Sequence, residues 1–468
     1  MDKDTIAAIA TPPGSGGIGI VRVSGPGAFT VARALFTKNK TPSANRRSSQ
    51  AQVFEHRRMY LGQLIDPRDG KVLDQVILAA MHAPHSYTRE HVVEFQCHGG
   101  ELVLRGVLSA VLAQGARLAD PGEFTRRAFL NGRIDLSQAE AVIDLINASN
   151  EAALASALRH LDGALKTRVN DLVGRLTEQL TLIEACIEFS EEIGRGPERD
   201  NVSAALRNSV REPLHTLVQD SEQGQAFVHG FLMDIVGRPN VGKSSLLNRL
   251  LGKERAIVTE VPGTTRDLIE DTTRIQGIPL RITDTAGIHA SNDPVESIGI
   301  QKARQRIGAS DLVLFVIEAC DTQNPKDAHV LDAIGARPVI LVINKIDLDE
   351  KQVVQTLPAR FQELTAVRVS ARTEEGLDDL RQVIVEHFSK RKFDDNTDPI
   401  IANLRQIGLL KQAGRAVDRA LDALDSGLGE DLVAEDLNEA ILQLRRVIGE
   451  ALEMDILDRV FERFCIGK

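Results

Sequence analysis

The chain has no tryptophan and only two tyrosines in 468 residues. Broad aromatic platforms for stacking nucleobases are therefore not expected. Its four cysteines, Cys97, Cys186, Cys320 and Cys465, form no C-x-x-C pair. Neither a zinc site nor a disulfide framework is indicated, and reduced thiols in a cytoplasmic protein are the simple reading. No apolar run approaches the ~18 residues of a membrane span. The start, Met1-Asp2-Lys3-Asp4, lacks the basic region of a signal peptide. No membrane partner is expected. Positive charge is also short, with 56 Lys+Arg against 66 Asp+Glu and a net charge of −10. That argues against a wholly basic nucleic-acid binder. The deficit is uneven: residues 1–132 hold 16 basic and 11 acidic side chains, a net of +5, and the rest carries −15. A basic N-terminal domain would steer an anionic ligand or RNA. A chance surface imbalance accounts for it equally well.

What is present is ordinary for a soluble globular protein: 43% hydrophobic and 26% charged residues. The length suits about three domains. Residues 1–132 read as mixed α/β, with strands at Ile18–Val23, Val76–Met81 and His91–Gln96 and a helix at Leu102–Leu112. Residues 38–52 are polar and read as an exposed loop. Ser137-Gln138-Ala139-Glu140 carries a capping-box pattern. Apolar residues then recur at three- and four-residue steps from Val142 to Leu176, the helical period. The charged, glycine-containing stretch Glu191–Asp200 breaks this pattern, which resumes to about Gln225. Residues 230–390 alternate short apolar strands with helical segments, as in a doubly wound α/β domain. Asp394–Pro399 reads as a linker, and helical patterns return afterwards. The expected architecture is multidomain α/β plus all-α. It comprises an N-terminal α/β domain (1–132), a helical domain in two parts (133–229 and 393–468) and an inserted, Ras-like P-loop domain (230–392).

The chemistry is concentrated in that insert. Gly237-Arg238-Pro239-Asn240-Val241-Gly242-Lys243-Ser244 fits G-x-x-x-x-G-K-[ST], between a strand at Phe231–Val236 and a helix start at Ser245–Leu251. Glycines let backbone N–H groups close around phosphates, and a helix N-terminus adds its positive end. Lys243 suits the β- and γ-phosphates, and the Ser244 hydroxyl suits Mg²⁺. Asn344-Lys345-Ile346-Asp347 follows a predicted strand. Its aspartate can accept from guanine N1–H and the exocyclic amine, donors that adenine lacks, so GTP is favoured over ATP. Ser370-Ala371-Arg372 resembles the loop that reads guanine O6. Asp284-Thr285-Ala286-Gly287 supplies a carboxylate that holds Mg²⁺ through water and a glycine that senses the γ-phosphate. Gly263-Thr264-Thr265-Arg266-Asp267 lies where switch I belongs, and Thr265 suits Mg²⁺.

Catalysis needs a different residue from the one Ras uses. The position after Asp284–Gly287 is Ile288, which cannot orient a water as the Ras glutamine does. Asp293 and Glu296, shortly downstream, are both candidates. No arginine finger is evident, so a second cation is an alternative balance for phosphoryl charge. The Asn240 amide could hold it, or serve only as a loop hydrogen bond.

Taken together, the chain resembles the tRNA modification GTPases of the MnmE (TrmE) family. The likeness rests on Ala10–Gly14, Glu94–Gly100, Pro121–Thr125, Arg127–Arg133, the nucleotide motifs and the tail Phe464-Cys465-Ile466-Gly467-Lys468. The resemblance implies GTP contacts at Asn240, Val241, Gly242, Lys243, Ser244 and Ser245. It implies further contacts at Thr259, Glu260, Val261, Pro262, Gly263, Thr264 and Thr265, at Asp284, Thr285, Ala286 and Gly287, and in the two base-reading motifs. Asn240, Thr259, Val261 and Thr264 match potassium ligands, Ser244 and Thr265 match Mg²⁺ ligands, and Glu296 matches the water-orienting glutamate. Arg22, Glu94, Arg133 and Lys468 match positions that hold a tetrahydrofolate derivative, 5-formyl or 5,10-methylene. On the residues alone, Arg22 and Glu94 read as ordinary surface or strand residues. Cys465 is a candidate nucleophile toward a pyrimidine, or a small apolar residue packed near the folate site. The resemblance further implies a homodimer through the N-terminal domain and a heterotetramer with the FAD-using protein MnmG. It also implies modification of C5 of a tRNA wobble uridine with a carboxymethylaminomethyl or aminomethyl group. Two other readings share the same nucleotide motifs: a ribosome-assembly GTPase, and a folate-binding scaffold with GTP as an assembly signal.

Overall fold

The computed structural model describes residues 4–38, 53–148, 150–188, 199–252, 270–284, 310–348, 357–389, 400–451, 454–462 and 464–468. They fall into two compact units. One is drawn from residues 1–143, 160–210 and 412–468, the other from 144–159 and 211–411.

The first unit is centred on a seven-stranded sheet in the order β3-β4-β5-β6-β2-β1-β7. The strands are β1 (Ile6–Ile9), β2 (Gly16–Ser24), β3 (Phe36–Thr37), β4 (Arg58–Ile65), β5 (Val72–Met81), β6 (Val92–Gly99) and β7 (Arg117–Leu118). Alternation along each strand sends Val21, Val23, Leu64, Val76, Leu78, Val93 and Phe95 to one face. There they bury against Val31 and Leu35 of α1 (Ala28–Leu35) and Leu104, Val107 and Val111 of α2 (Glu101–Ala113). The expected strands and helix all form. His91 stays outside β6, with its ring 4.9 Å from that of Phe29.

After α3 (Glu123–Leu130) comes α4 (Leu136–Asn147), and here the expected capping box is corrected. Ser137 lies inside the helix. The cap is Asp135, whose Oδ1 accepts Gln138 N at 3.0 Å, while Gln138 Oε1 accepts Asp135 N at 3.0 Å. The reciprocal pattern is therefore D-x-x-Q, two residues earlier than the S-x-x-E reading. The cause is that Ser137 Oγ is itself taken by Asp135 Oδ1 at 2.6 Å. Next come α5 (Glu151–Leu161), α6 (Ala164–Glu188) and α7 (Arg199–Leu206). α6 buries Leu165, Val169, Leu172 and Leu176 of the expected stripe, with Leu180 and Ile183 beyond it, and packs on the helix Glu430–Ile448, whereas Ile146, Leu154 and Leu158 of that stripe are exposed. Each of the fully buried leucines contributes about 1.5–3 kcal/mol. A π-turn at Arg207–Arg211 leads into α8 (Glu212–His229), which runs four residues past the expected end.

The second unit contains a six-stranded sheet in the order β13-β12-β11-β8-β10-β9. Its strands are β8 (Phe231–Val236), β9 (Glu270–Ile275), β10 (Ile278–Asp284), β11 (Leu312–Glu318), β12 (Val339–Asn344) and β13 (Thr365–Arg368). All pairs are parallel except the β9–β10 hairpin. Apolar cores lie on both faces, which is why Leu312–Ile317 is an unbroken buried run and not an alternating one. From β8 the chain moves first to one side, then to the other. That reversal opens a crevice at the carboxyl ends of the strands, where α/β sheets take ligands. The loop expected at 38–52, apart from Lys38, the break expected at 191–200, apart from Arg199 and Asp200, which open α7, and the linker at 394–399 lie outside the described residues. No described helix is long and apolar enough to cross a membrane.

Candidate functional site

The four nucleotide motifs converge on that crevice. The Gly237–Ser244 loop leaves the carboxyl end of β8, Asp284 ends β10, Asn344 ends β12 and Ser370 follows β13. Register fixes the spacing, with Asp284 opposite Ile235 and Glu318 opposite Asn344.

The loop turns into α9 (Lys243–Leu251) through Gly242, whose φ is +96°. A Cβ at Gly242 would collide with the Asn344 amide. Asn240 adopts a left-handed φ of +64° without being glycine. α9 has no side-chain cap and no acidic residue in its first turn. Its leading N–H groups and dipole therefore suit an anion, and the cradle fits a phosphate chain. Lys243 Nζ donates to the carbonyls of Gly237 and Arg238 at 2.9 and 2.8 Å. The cation is held at the loop that would receive phosphate.

The base-reading half is tied to the same loop. Asn344 is buried, with its Nδ2 donating to Val241 O at 2.8 Å and its Oδ1 accepting Ala371 N at 3.1 Å. One side chain thus staples the phosphate loop to the Ser370–Arg372 turn. Ser370 Oγ donates to Asp347 Oδ1 at 2.7 Å, and Arg372 Nη1 stands 3.7 Å from Asp347 Oδ2. Asp347 is aimed before any base arrives. Lys345 Nζ pairs with Glu318 Oε1 at 3.1 Å.

Ser244 and Ser245 open α9 with exposed side chains, in the position expected of them. The expected residues Thr259, Glu260, Val261, Pro262, Gly263, Thr264, Thr265, Thr285, Ala286, Gly287, Asp293 and Glu296 lie outside the described residues, and Asp284 is described in its backbone only. Among the described residues no cluster of three or more His, Cys, Asp or Glu side chains could hold a metal.

The second candidate site lies on the other face of the seven-stranded sheet. Arg22 of β2 stands directly opposite Glu94 of β6. Arg22 Nε donates to Glu94 Oε1 at 2.8 Å, and both side chains are about one-fifth exposed, at 21% and 17%. Arg22 Nη1 also reaches Gly467 O at 3.4 Å, and its guanidinium lies 5.6 Å from the Phe124 ring centroid. The tail is knitted in by a Pro121–Ile466 bridge and by Phe124 N donating to Lys468 O at 3.1 Å. Gly467 has φ +97°, and a Cβ there would collide with the Ile9 carbonyl. Burial pushes the Tyr87 phenol up, against the pull of a 2.9 Å hydrogen bond with Thr125 and of the charges on Arg22 and Arg133. The fold therefore brings together Arg22, Glu94 and the Lys468 main chain, while Arg133 is exposed and its charge acts on the Tyr87 phenol. Cys465 is exposed on the same tail. Sequence reasoning missed Tyr87, the second role of Asn344 and the anchoring of Arg238. Phe124 sat inside a quoted motif, Pro121–Thr125, and could have been found there.

Residues 136–465 match the family description "MnmE helical domain", and residues 5–133 match "GTP-binding protein TrmE N-terminus". The chain belongs to the MnmE family of tRNA modification GTPases. MnmE relatives align along its whole length. The protein named tRNA modification GTPase MnmE in Carboxydothermus hydrogenoformans is 43% identical over 478 residues, covering 100% of both chains. That of Geobacter sulfurreducens is 43% identical, covering 100% of this chain and 99% of the relative. That of Acetivibrio thermocellus is 39% identical with the same coverage. Among solved structures, a point variant of Aquifex aeolicus Era bound to GDP·AlF4⁻ is 29% identical. It covers 40% of this chain and 66% of its own, with a TM-score of 0.27. The G domain of the T. maritima iron transporter FeoB is 28% identical, covers 34% and 98%, and has a TM-score of 0.26.

Proposed function

We propose that this chain is a potassium-activated GTP hydrolase that modifies C5 of the wobble uridine in certain tRNAs, acting in the cytoplasm with the FAD protein MnmG. The carrying observation is the convergence of four motifs at the carboxyl ends of the strands, with Asp347 pre-aimed by Ser370. A carboxylate held there accepts guanine's N1–H and amine and penalises adenine. Relatives named tRNA modification GTPase along the full chain support the reaction class. Ser244 and Thr265 would hold Mg²⁺. Asn240, Thr259, Val261 and Thr264 would hold potassium, which supplies positive charge against the transferring phosphoryl group. Asn240 fits this: its backbone is left-handed and its side chain is exposed. Glu296 would orient the attacking water, a task Ile288 cannot perform.

The pair Arg22–Glu94, with the tail beside it, would hold a one-carbon tetrahydrofolate, with Arg133 and Lys468 contributing charge. The residues fit, because a carboxylate acceptor and a guanidinium stand side by side on one partly open face. Homodimerisation through the N-terminal domain is supported by that same face. Register aligns Leu61, Ile77, Gln96 and Ile20 across four strands. Leu61 and Met59 are each 64% exposed and Ile77 is 37% exposed. In this reading the folate domain is 1–132, the helical domain 133–229 and 393–468, and the G domain 230–392. GTP turnover drives a conformational cycle and not the carbon chemistry.

Steady-state GTP hydrolysis in KCl against NaCl at matched ionic strength tests the proposal. Potassium should accelerate turnover, and Asn240→Ala and Glu296→Ala should each abolish the gain. Turnover indifferent to the cation would reject the potassium mechanism.

A further inference from the structure

One short segment touches both halves of the nucleotide site. Arg238 is an interchangeable position of the phosphate-loop pattern, yet its side chain is 15% exposed and fully engaged. Its Nε donates to Asp327 Oδ1 at 2.7 Å, Nη1 to Asp321 Oδ2 at 3.1 Å and Nη2 to Asp321 O at 3.4 Å. Asp327 lies in the first turn of α10 (Pro325–Ile334) and is wholly buried. Asn324 caps that helix through Lys326 N at 3.0 Å and braces Asp321 Oδ2 at 2.8 Å. The main-chain oxygen of Arg238 meanwhile receives Lys243. At the other end of the segment, Glu318 takes Lys345 Nζ at 3.1 Å and the Cys320 thiol at 3.3 Å. The 3-10 turn Ala319–Asp321 between them packs on the turn Ile346–Leu348 that carries Asp347.

We propose that Glu318–Asp327 is a bracket coupling phosphate binding to guanine binding, with Arg238 and Glu318 as its positioning residues. It rests on the GTP-site reading and goes beyond it, because neither residue is assigned a contact with the nucleotide. Stability alone does not account for the arrangement. A buried ion pair such as Arg238–Asp327 has a desolvation cost that apolar packing of the same volume avoids. What it supplies is direction. The forked guanidinium fixes the loop's orientation against two separate acceptors, which a point charge cannot do. Through the packed 3-10 turns, a displacement of Arg238 is passed to the Lys345–Asp347 segment.

The test is competition by GDP and by GMP against a fluorescent N-methylanthraniloyl GDP bound to the full chain. Arg238→Lys should weaken GDP about tenfold and GMP less than about threefold, since charged hydrogen bonds to the phosphate half are lost. Glu318→Gln should weaken both nucleotides alike. The double variant should lose less than the product of the singles by a factor of about three or more, as connected networks do. Asp321→Asn releases the same clamp from its exposed end and replaces Arg238→Lys if that variant does not fold. Additivity within about twofold would overturn the bracket. A wild-type chain that binds no GDP would instead sink the GTP-site reading itself.

Discussion

Asn344→Ala should unlock the nucleotide site before any nucleotide is bound. The wild-type amide makes two hydrogen bonds, to Val241 O at 2.8 Å and from Ala371 N at 3.1 Å, and Asn344 is only 1% exposed. Val241 and Ala371 are buried as well. Truncation therefore strands one acceptor and one donor away from water, at about 1–3 kcal/mol for each unsatisfied group. Partial relaxation of an exposed loop lowers the sum, so the expected loss is about 2–4 kcal/mol. For a domain of roughly 150–250 residues, that moves the melting midpoint down by about 4–16 °C. Calorimetry on the nucleotide-free chain reads this, with the relevant transition identified by its upward shift on adding GDP. Asn344→Asp supplies the control. It keeps the acceptor for Ala371 N but turns an oxygen toward Val241 O, so it should be no better than alanine. A shift under about 1 °C in Asn344→Ala, with GDP affinity unchanged, would mean the staple is incidental and the reasoning wrong.

Two further outcomes follow from the same geometry. Burial and the nearby Asp74 charge push the Cys97 thiol up to about 12, and burial with the Glu318 hydrogen bond raises Cys320. Because the thiolate is the reactive form, Cys97 should resist a disulfide reagent at pH 8 until the chain unfolds, and exposed Cys465 should react ahead of Cys320. Single serine variants assign each phase, and fast labelling of Cys97 in the native chain would contradict this. Arg22→Ala removes the partner of Glu94 and of Gly467 O, so the affinity for 5-formyltetrahydrofolate should fall about tenfold or more. Equilibrium dialysis measures it, GTP hydrolysis serving as the folding control. Unaltered binding would dissociate this pair from the folate site.

The nucleotide motifs were legible because their chemistry is contiguous. A phosphate cradle needs consecutive backbone N–H groups, and a base reader needs a few adjacent side chains, so each is written within eight residues. Strand and helix positions followed for a similar reason. Apolar period is local, and α6 carries its stripe wherever it lies. Local rules failed where two of them competed. Both Ser137 and Asp135 are cap residues, and only the folded backbone showed Asp135 winning by taking the serine hydroxyl as well.

The sequence by itself thus determined the order of elements, the nucleotide class and the motifs that make up the candidate site. Tertiary structure alone decided which distant side chains complete them. Arg22 reaches Gly467 across 445 positions, and Asn344 reaches Val241 across 103. Arg238 finds Asp327 across 89. No periodicity or spacing encodes such pairs. They exist because strand order and register bring separate stretches of chain within hydrogen-bond distance, where burial makes an unmet polar group too costly to leave alone.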